Sequence, residues 1–358
     1  MISRVADHCF WFGRYMERAE STARVLQVTG GLAIDSDLTP QQCWLPVVII
    51  AGERDRFVAE RGEEAFADGE SVQEYLSFGK APVSLERSVM AARENARSIR
   101  EVISLEVWES INELHLWMQS EKAKSDFRSH RYGFYRHVRR ETQLGLGLLR
   151  GTMLHDAPLD FIWLGVMLER TSQTARILDV HHHAFATASA GDSQPHAVLE
   201  VSLWLSLLRA CYGFESFMKS HRGQVTAESV AAFLLWESCF PRSVRHCLRR
   251  VRERLAHIRP EGEVEPLRAQ VRLSALESWL EGAAGKTLDD ETLHAMLTKV
   301  VVETDAACND IAVELLAAAP LAQQQSQRQG AQAQSQPGQS QSQGGPDAFA
   351  GARPGRTE

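Results

Sequence analysis

Three features that most often announce a chemistry are missing from this 358-residue chain: a CxxC pair, a Glu-x-x-His motif on each of two helices, and an apolar run of membrane-spanning length. The six cysteines (Cys9, Cys43, Cys211, Cys239, Cys247 and Cys308) are scattered, several of them within apolar helical pattern where a thiol acts as a small core group. That usage fits a reducing compartment. A ferritin-like dimetal centre needs Glu-x-x-His from two helices, and the chain does not supply the pair. His181, His182 and His183 are adjacent, so on a helix they point about 100° apart and cannot face one ion together. Gly145, Gly147 and Gly151 follow no strand and have the wrong spacing for a dinucleotide or phosphate loop. No metal and no cofactor is expected.

The longest apolar stretches fail as membrane spans: "LPVVIIAG" is short, and "VLEVSLWLSLLRAC" is broken by Glu200 and Arg209. Arg4, Asp7, Arg14 and Glu17 interrupt the N-terminal apolar residues, which removes the continuous core of a signal peptide. A cytoplasmic protein without a membrane segment is the expectation. Basic excess is lacking too, with 39 Lys+Arg against 46 Asp+Glu and a formal charge of −7, which opposes attraction to nucleic acid.

Alternating strand pattern is scarce. Apart from "VVII", apolar residues recur every three or four positions, so the chain reads as all-α, with about ten helices. Breaks are expected at Gly30 to Pro40, Pro82, Pro158, Gly191 to Pro195, Pro241, Pro260 to Pro266 and Gly282 to Lys286. Residues 322–358 are rich in Gln, Ser, Gly and Pro with little to bury, which predicts a disordered tail.

What the chain does have is a segment written twice. Aligning Trp11–Val28 with Trp163–Val180 gives W-x-G-x-x-x-E-R-x-x-x-T-A-R-x-L-x-V in both, nine identities in eighteen positions. A second match pairs "PVSLERSVMAARE" from Pro82 with "PRSVRHCLRRVRE" from Pro241. Two duplicated helical halves, about 1–153 and 154–321, are implied. At helical spacing Phe12, Met16, Ala19, Ala23 and Leu26 share one face, and Leu164, Leu168, Thr171, Ala175 and Leu178 repeat it. These are the expected core seams.

Gly13 and Gly165 flank those seams. A helix-interior glycine costs about 1 kcal/mol against alanine, so a matched pair signals close approach of another backbone. Glu17 and Arg24 lie two turns apart, too far for an i,i+4 pair, so each is expected to reach another helix or a ligand. Two readings follow. In one, Glu17 and Glu169 pair with arginines of the opposite copy and fix the register of the two helices. In the other, Glu17 and Glu169 are candidate acid/base groups, and Arg18, Glu20, Arg24, Arg93, Arg97, Arg170 and Arg176 hold a charged substrate, since guanidinium forks suit carboxylate or phosphate. Arg93 and Arg97 belong to a helix that also reads as a solvated, salt-bridged face. So does the face bearing Arg242, Arg245, Arg249 and Arg252, while the basic and aromatic "FRSHRYGFYRHVRR" suits an acidic partner protein.

The segments "MISRVADHCFWFGRYMERAESTARVL", "AARENARSIREVISLEVWESIN" and "FIWLGVMLERTSQTARILDV", in this order and spacing, resemble the Alpha-E domain family, an all-helical bacterial family of unknown function. The likeness covers nearly all of residues 1–318. It implies candidate residues Glu17, Arg18, Arg24, Arg93, Glu94, Asn95, Arg97, Arg100, Glu109, Asn112, Glu169, Arg170 and Arg176. "LSFGKAPVS" departs from the family in lacking an acid before the Pro-x-Ser turn. The resemblance also implies partners, namely a circularly permuted ATP-grasp ligase and a transglutaminase-like peptidase, and hence amide-bond chemistry on a peptide. From it follows the expectation of an accessory or substrate-binding protein; the alternatives are an enzyme acting on peptide amides with its own Glu and Arg residues, and a purely structural helical scaffold.

Overall fold

The computed structural model describes residues 3–189, 196–221, 224–259, 265–286 and 289–316, with the side chains of 181–199 left outside the description. Among them there is no strand. Fifteen α-helices and one 3₁₀ turn follow in order. The first half holds α1 (Ser3–Asp35), α2 (Pro40–Ala51), α3 (Arg54–Arg61), the 3₁₀ turn Glu63–Ala67, α4 (Gly69–Phe78), α5 (Leu85–Ser98), α6 (Leu105–Met118), α7 (Glu121–Ser129) and α8 (Arg131–Thr152). The second holds α9 (Ala157–Ser189), α10 (His196–Ala210), α11 (Phe214–His221), α12 (Ala227–Trp236), α13 (Val244–Ile258), α14 (Arg268–Glu281) and α15 (Asp290–Glu314). They lie within one compact unit, Met1–Ala318; the segment expected to be a disordered tail, the expected break at Gly191 to Pro195 and most of that at Pro260 to Pro266 lie outside the described residues.

Local chemistry explains the helix starts. Ser84, Ser104, Ser120 and Ser243 accept the backbone N–H of Arg87, Val107, Ala123 and His246, which satisfies a donor the first turn would leave open. Pro82 and Pro241 precede two of these caps, so the same Pro-x-Ser turn opens α5 and α13. Helices are more numerous than the sequence suggests. Short breaks at Gly52, Gly62, 99–104, 119–120 and 211–213 carry little proline, and α1 runs straight through Gly30 and Gly31, whose surroundings are open. "VVII" is helical within α2.

The packing falls into two groups. α1 packs on α5 and α8, with α6 joining those two; α9 packs on α13 and α15, with α14 joining those two. The groups meet where α1 crosses α9. Both expected seams are buried: Phe12, Met16, Ala19, Ala23 and Leu26 on α1, and Leu164, Leu168, Thr171, Ala175 and Leu178 on α9.

The α1–α9 crossing has the matched glycines at its centre. A Cβ on Gly13 would overlap the Ile162 carbonyl, and a Cβ on Gly165 would overlap the Phe10 carbonyl. The backbones touch, and only glycine fits. Phe10 and Ile162 occupy the same place in the two copies of the segment, so the contact is reciprocal.

Candidate functional site

One turn beyond the glycines the two Glu-Arg pairs close on each other. Arg18 donates Nε to Glu169 Oε1 at 2.7 Å and Nη2 to Oε2 at 2.9 Å. Arg170 returns the arrangement, with Nε to Glu17 Oε1 at 3.1 Å and Nη2 to Oε2 at 2.7 Å. Each is a two-bond fork, the strongest form of the guanidinium–carboxylate pair. A second arginine completes each carboxylate: Arg14 donates to Glu169 Oε2 at 2.8 Å, and Arg242 meets Glu17 Oε1 at 2.5 Å.

Both carboxylates are buried; Glu17 is 0% and Glu169 2% exposed. Burial alone would raise their pKa values. The guanidiniums outweigh it: Arg170, Arg242 and Arg24 hold Glu17 at about 2, and Arg18 with Arg14 depresses Glu169 further. Both are ionised throughout the neutral range and have no proton to exchange there.

The Glu17 side of the cluster extends inward. Arg242 also reaches Glu20 Oε2 at 3.1 Å, and Arg24 reaches the same oxygen at 2.6 Å. Arg24 spends its other donors on the Ala210 carbonyl and Ser21. Glu20 is fully buried, and its Oε1 has no hydrogen-bond partner among the described residues. α9 places Arg242: Thr174 donates to the Arg242 carbonyl at 3.0 Å and Arg170 to the Pro241 carbonyl at 3.3 Å. Arg176, the counterpart of Arg24, is a third exposed and lies 3.6 Å from Asp305.

Arg93 and Arg97 lie elsewhere. Arg93 bonds Asn112 and Glu94, Arg97 bonds Glu94, and Arg93 and Arg100 flank the Trp108 ring at 5.4 and 4.9 Å. Asn95 bonds His8, tying α5 to α1. These candidates form a surface set on α5 and α6, distinct from the buried set on α1 and α9. Glu109 is exposed on α6.

Four participants escaped the sequence reading. Arg14 has Val166 as its counterpart, so the repeat did not mark it. Arg242 reads as part of a solvated basic face, but it is 9% exposed; its neighbours Arg245 and Arg252 pair with Glu281 and Glu277 of α14. Arg139 and Tyr212 come together at one edge of the cluster, where the Arg24 guanidinium lies 4.5 Å from the Tyr212 ring centre. Nothing in "RACYGFES" signals this beyond the glycine that follows.

Other nucleophile and metal candidates are quiet. Burial pushes the Cys9 thiol up to about 12 and those of Cys211, Cys247 and Cys308 to about 11, so none is a thiolate near neutrality. The Ser220 hydroxyl lies 2.8 Å from Nδ1 of the adjacent His221 and within hydrogen-bond distance of the Ser216 and Phe217 carbonyls, on the exposed last turn of α11. The lone Glu-x-x-His, Glu291 to His294, sits at the exposed start of α15, with His294 bonded to Asp179. No group of three potential metal ligands occurs among the described residues, where the His181–His183 side chains are not included. No described helix is long and apolar enough to cross a membrane.

Residues 1–315 match a family model described as "a predicted alpha-helical domain with a conserved ER motif". The chain belongs to the Alpha-E family. The Glu-Arg pairs of the Alpha-E chain, Glu17-Arg18 and Glu169-Arg170, are the ones that interlock. It is 25% identical to an uncharacterized protein of Mycobacterium bovis and to another of Mycobacterium tuberculosis, in each case across 89% of this chain. The alignment covers 37% of either relative, so the Alpha-E chain spans little more than a third of their length. No solved structure matches it.

Proposed function

We propose that this Alpha-E chain is a non-catalytic, cytoplasmic binding module that serves an ATP-grasp-type ligase and a transglutaminase-like protein in forming or modifying peptide amide bonds. In this reading its two halves, about 1–153 and 154–321, arose by duplication, and the Glu-Arg pairs are the fastening between them. The observation that carries it is the state of Glu17 and Glu169. Each is buried, forked and crossed by a second guanidinium, which suits a lock and not a proton relay. The relatives support a modular role, because most of their length lies beyond the matched region and leaves room for further domains.

Ligase assays test it. Peptide amide formation by the ATP-grasp partner, measured with and without the purified chain, is expected to rise in its presence, while the chain alone turns over no peptide. The result that overturns the reading is peptide turnover by the chain alone that Glu17→Gln abolishes while the melting temperature stays unchanged.

A further inference from the structure

Tyr212 has left-handed backbone (φ 55°), which glycine alone adopts freely. It lies in the turn ending α10, where the Gly213 N–H donates to the Leu208 carbonyl. The same turn ends α2, with the Glu53 N–H on the Val48 carbonyl, and there the left-handed residue is Gly52 (φ 73°). The turn therefore asks for no ring. Its surroundings explain it. The Tyr212 ring centre lies 4.5, 4.9 and 5.1 Å from the Arg24, Arg139 and Arg242 guanidiniums.

The hydroxyl is where donors collect. Arg139 gives it Nε at 2.9 Å and Nη2 at 2.6 Å, and Gln143 adds its amide at 2.6 Å. A phenol oxygen that keeps its proton offers two lone pairs, so three N–H groups converge on an oxygen that can serve two. Burial, then Glu20, raises the Tyr212 pKa, so the phenol does not become the missing anion at neutral pH. Arg139 meets only uncharged oxygens in its other described bond as well, that to Gln27. Around the ring and beside it, Arg24, Arg170 and Arg242 share the two carboxylates of Glu17 and Glu20, while Arg139, against the same ring, pairs with neither. Positive charge and hydrogen-bond donors are both in surplus at a point that solvent reaches, since Gln143 is exposed and Arg139 and Tyr212 are half-buried.

We propose that Arg139, Gln143 and Tyr212 form a binding site for an oxyanion, either a peptide carboxylate or a phosphate group. On binding, the Nε–Nη2 edge of Arg139, which holds the Tyr212 hydroxyl in the structure, passes from that oxygen to two anion oxygens as a fork, with Gln27 still holding the opposite end of the guanidinium. Gln143 donates to one of those oxygens, and the Tyr212 hydroxyl turns its proton toward them. The peptide source rests on the binding-module reading; the oxyanion site does not.

Calorimetric titration of the full chain with N-acetylglutamate, its uncharged diamide and inorganic phosphate tests the site, beside the Arg139→Gln and Gln143→Ala variants. Saturable binding of N-acetylglutamate or phosphate is expected, with the diamide inert. Arg139→Gln should weaken it about tenfold or more and Gln143→Ala severalfold. Binding of phosphate without N-acetylglutamate keeps the oxyanion site and argues against a peptide source. Absence of saturable binding by either anion overturns the site, as does unchanged affinity in folded Arg139→Gln. If that variant does not fold, unchanged affinity in Gln143→Ala, whose side chain is exposed, overturns it alone.

Discussion

Glu17 accepts hydrogen bonds from Arg170 and Arg242 with no access to water. Glu17→Gln keeps the shape and removes the charge, leaving buried Arg170 without its counter-ion and Arg242 with Glu20 alone. Urea denaturation is expected to show a loss of about 3–5 kcal/mol, the scale for breaking one partner out of a buried pair. Acid should act through the same groups. A carboxylate whose folded pKa is depressed contributes stability that is complete above its unfolded value and is lost as pH falls toward the folded value. For Glu17 that window runs from 4.5 down to about 2, and Glu169, held lower still, extends it on the acid side. Melting curves across this window are expected to fall steeply for the parent chain and less steeply for Glu17→Gln. At this scale the sequence showed much of the site: the repeat selected Glu17, Arg18, Glu169 and Arg170 because both copies hold them for one reciprocal contact. It could not show Arg14, Arg242 or Tyr212, whose roles depend on which elements meet and not on any repeated spacing.

The α1–α9 crossing is a backbone contact, and glycine chemistry predicts opposite outcomes for one substitution at two places. Gly13→Ala adds helix propensity but drives a methyl group into the Ile162 carbonyl, so the helices must part. Gly147, inside α8, has nothing within 4 Å of its missing Cβ, and Gly147→Ala is expected to stabilise by about 0.5–1 kcal/mol. Thermal unfolding of the two variants should move in opposite directions. Helix type and the seams of α1 and α9 were legible because their apolar spacing persists over many turns. Short connections such as 52–53 and 211–213 were not, because a left-handed residue ends those helices without proline, and at 212 without glycine.

The two packing groups depend on each other for charge. Glu17 in the first takes its arginines from the second, and Glu169 in the second takes Arg14 and Arg18 from the first. Residues 1–153 or 154–321 made alone would bare a core seam together with unpaired charges. Each half is therefore expected to aggregate or stay unfolded, and co-expression to recover a soluble, helical complex, as read by circular dichroism and size-exclusion chromatography. The interlocked Glu-Arg pairs are the centre of this picture, and a double-mutant cycle on Glu17→Gln and Arg170→Gln tests them most directly. A lock predicts that the double variant is less destabilised than the sum of the two single losses, by about 1–3 kcal/mol. Losses that add to within about 0.5 kcal/mol would contradict it.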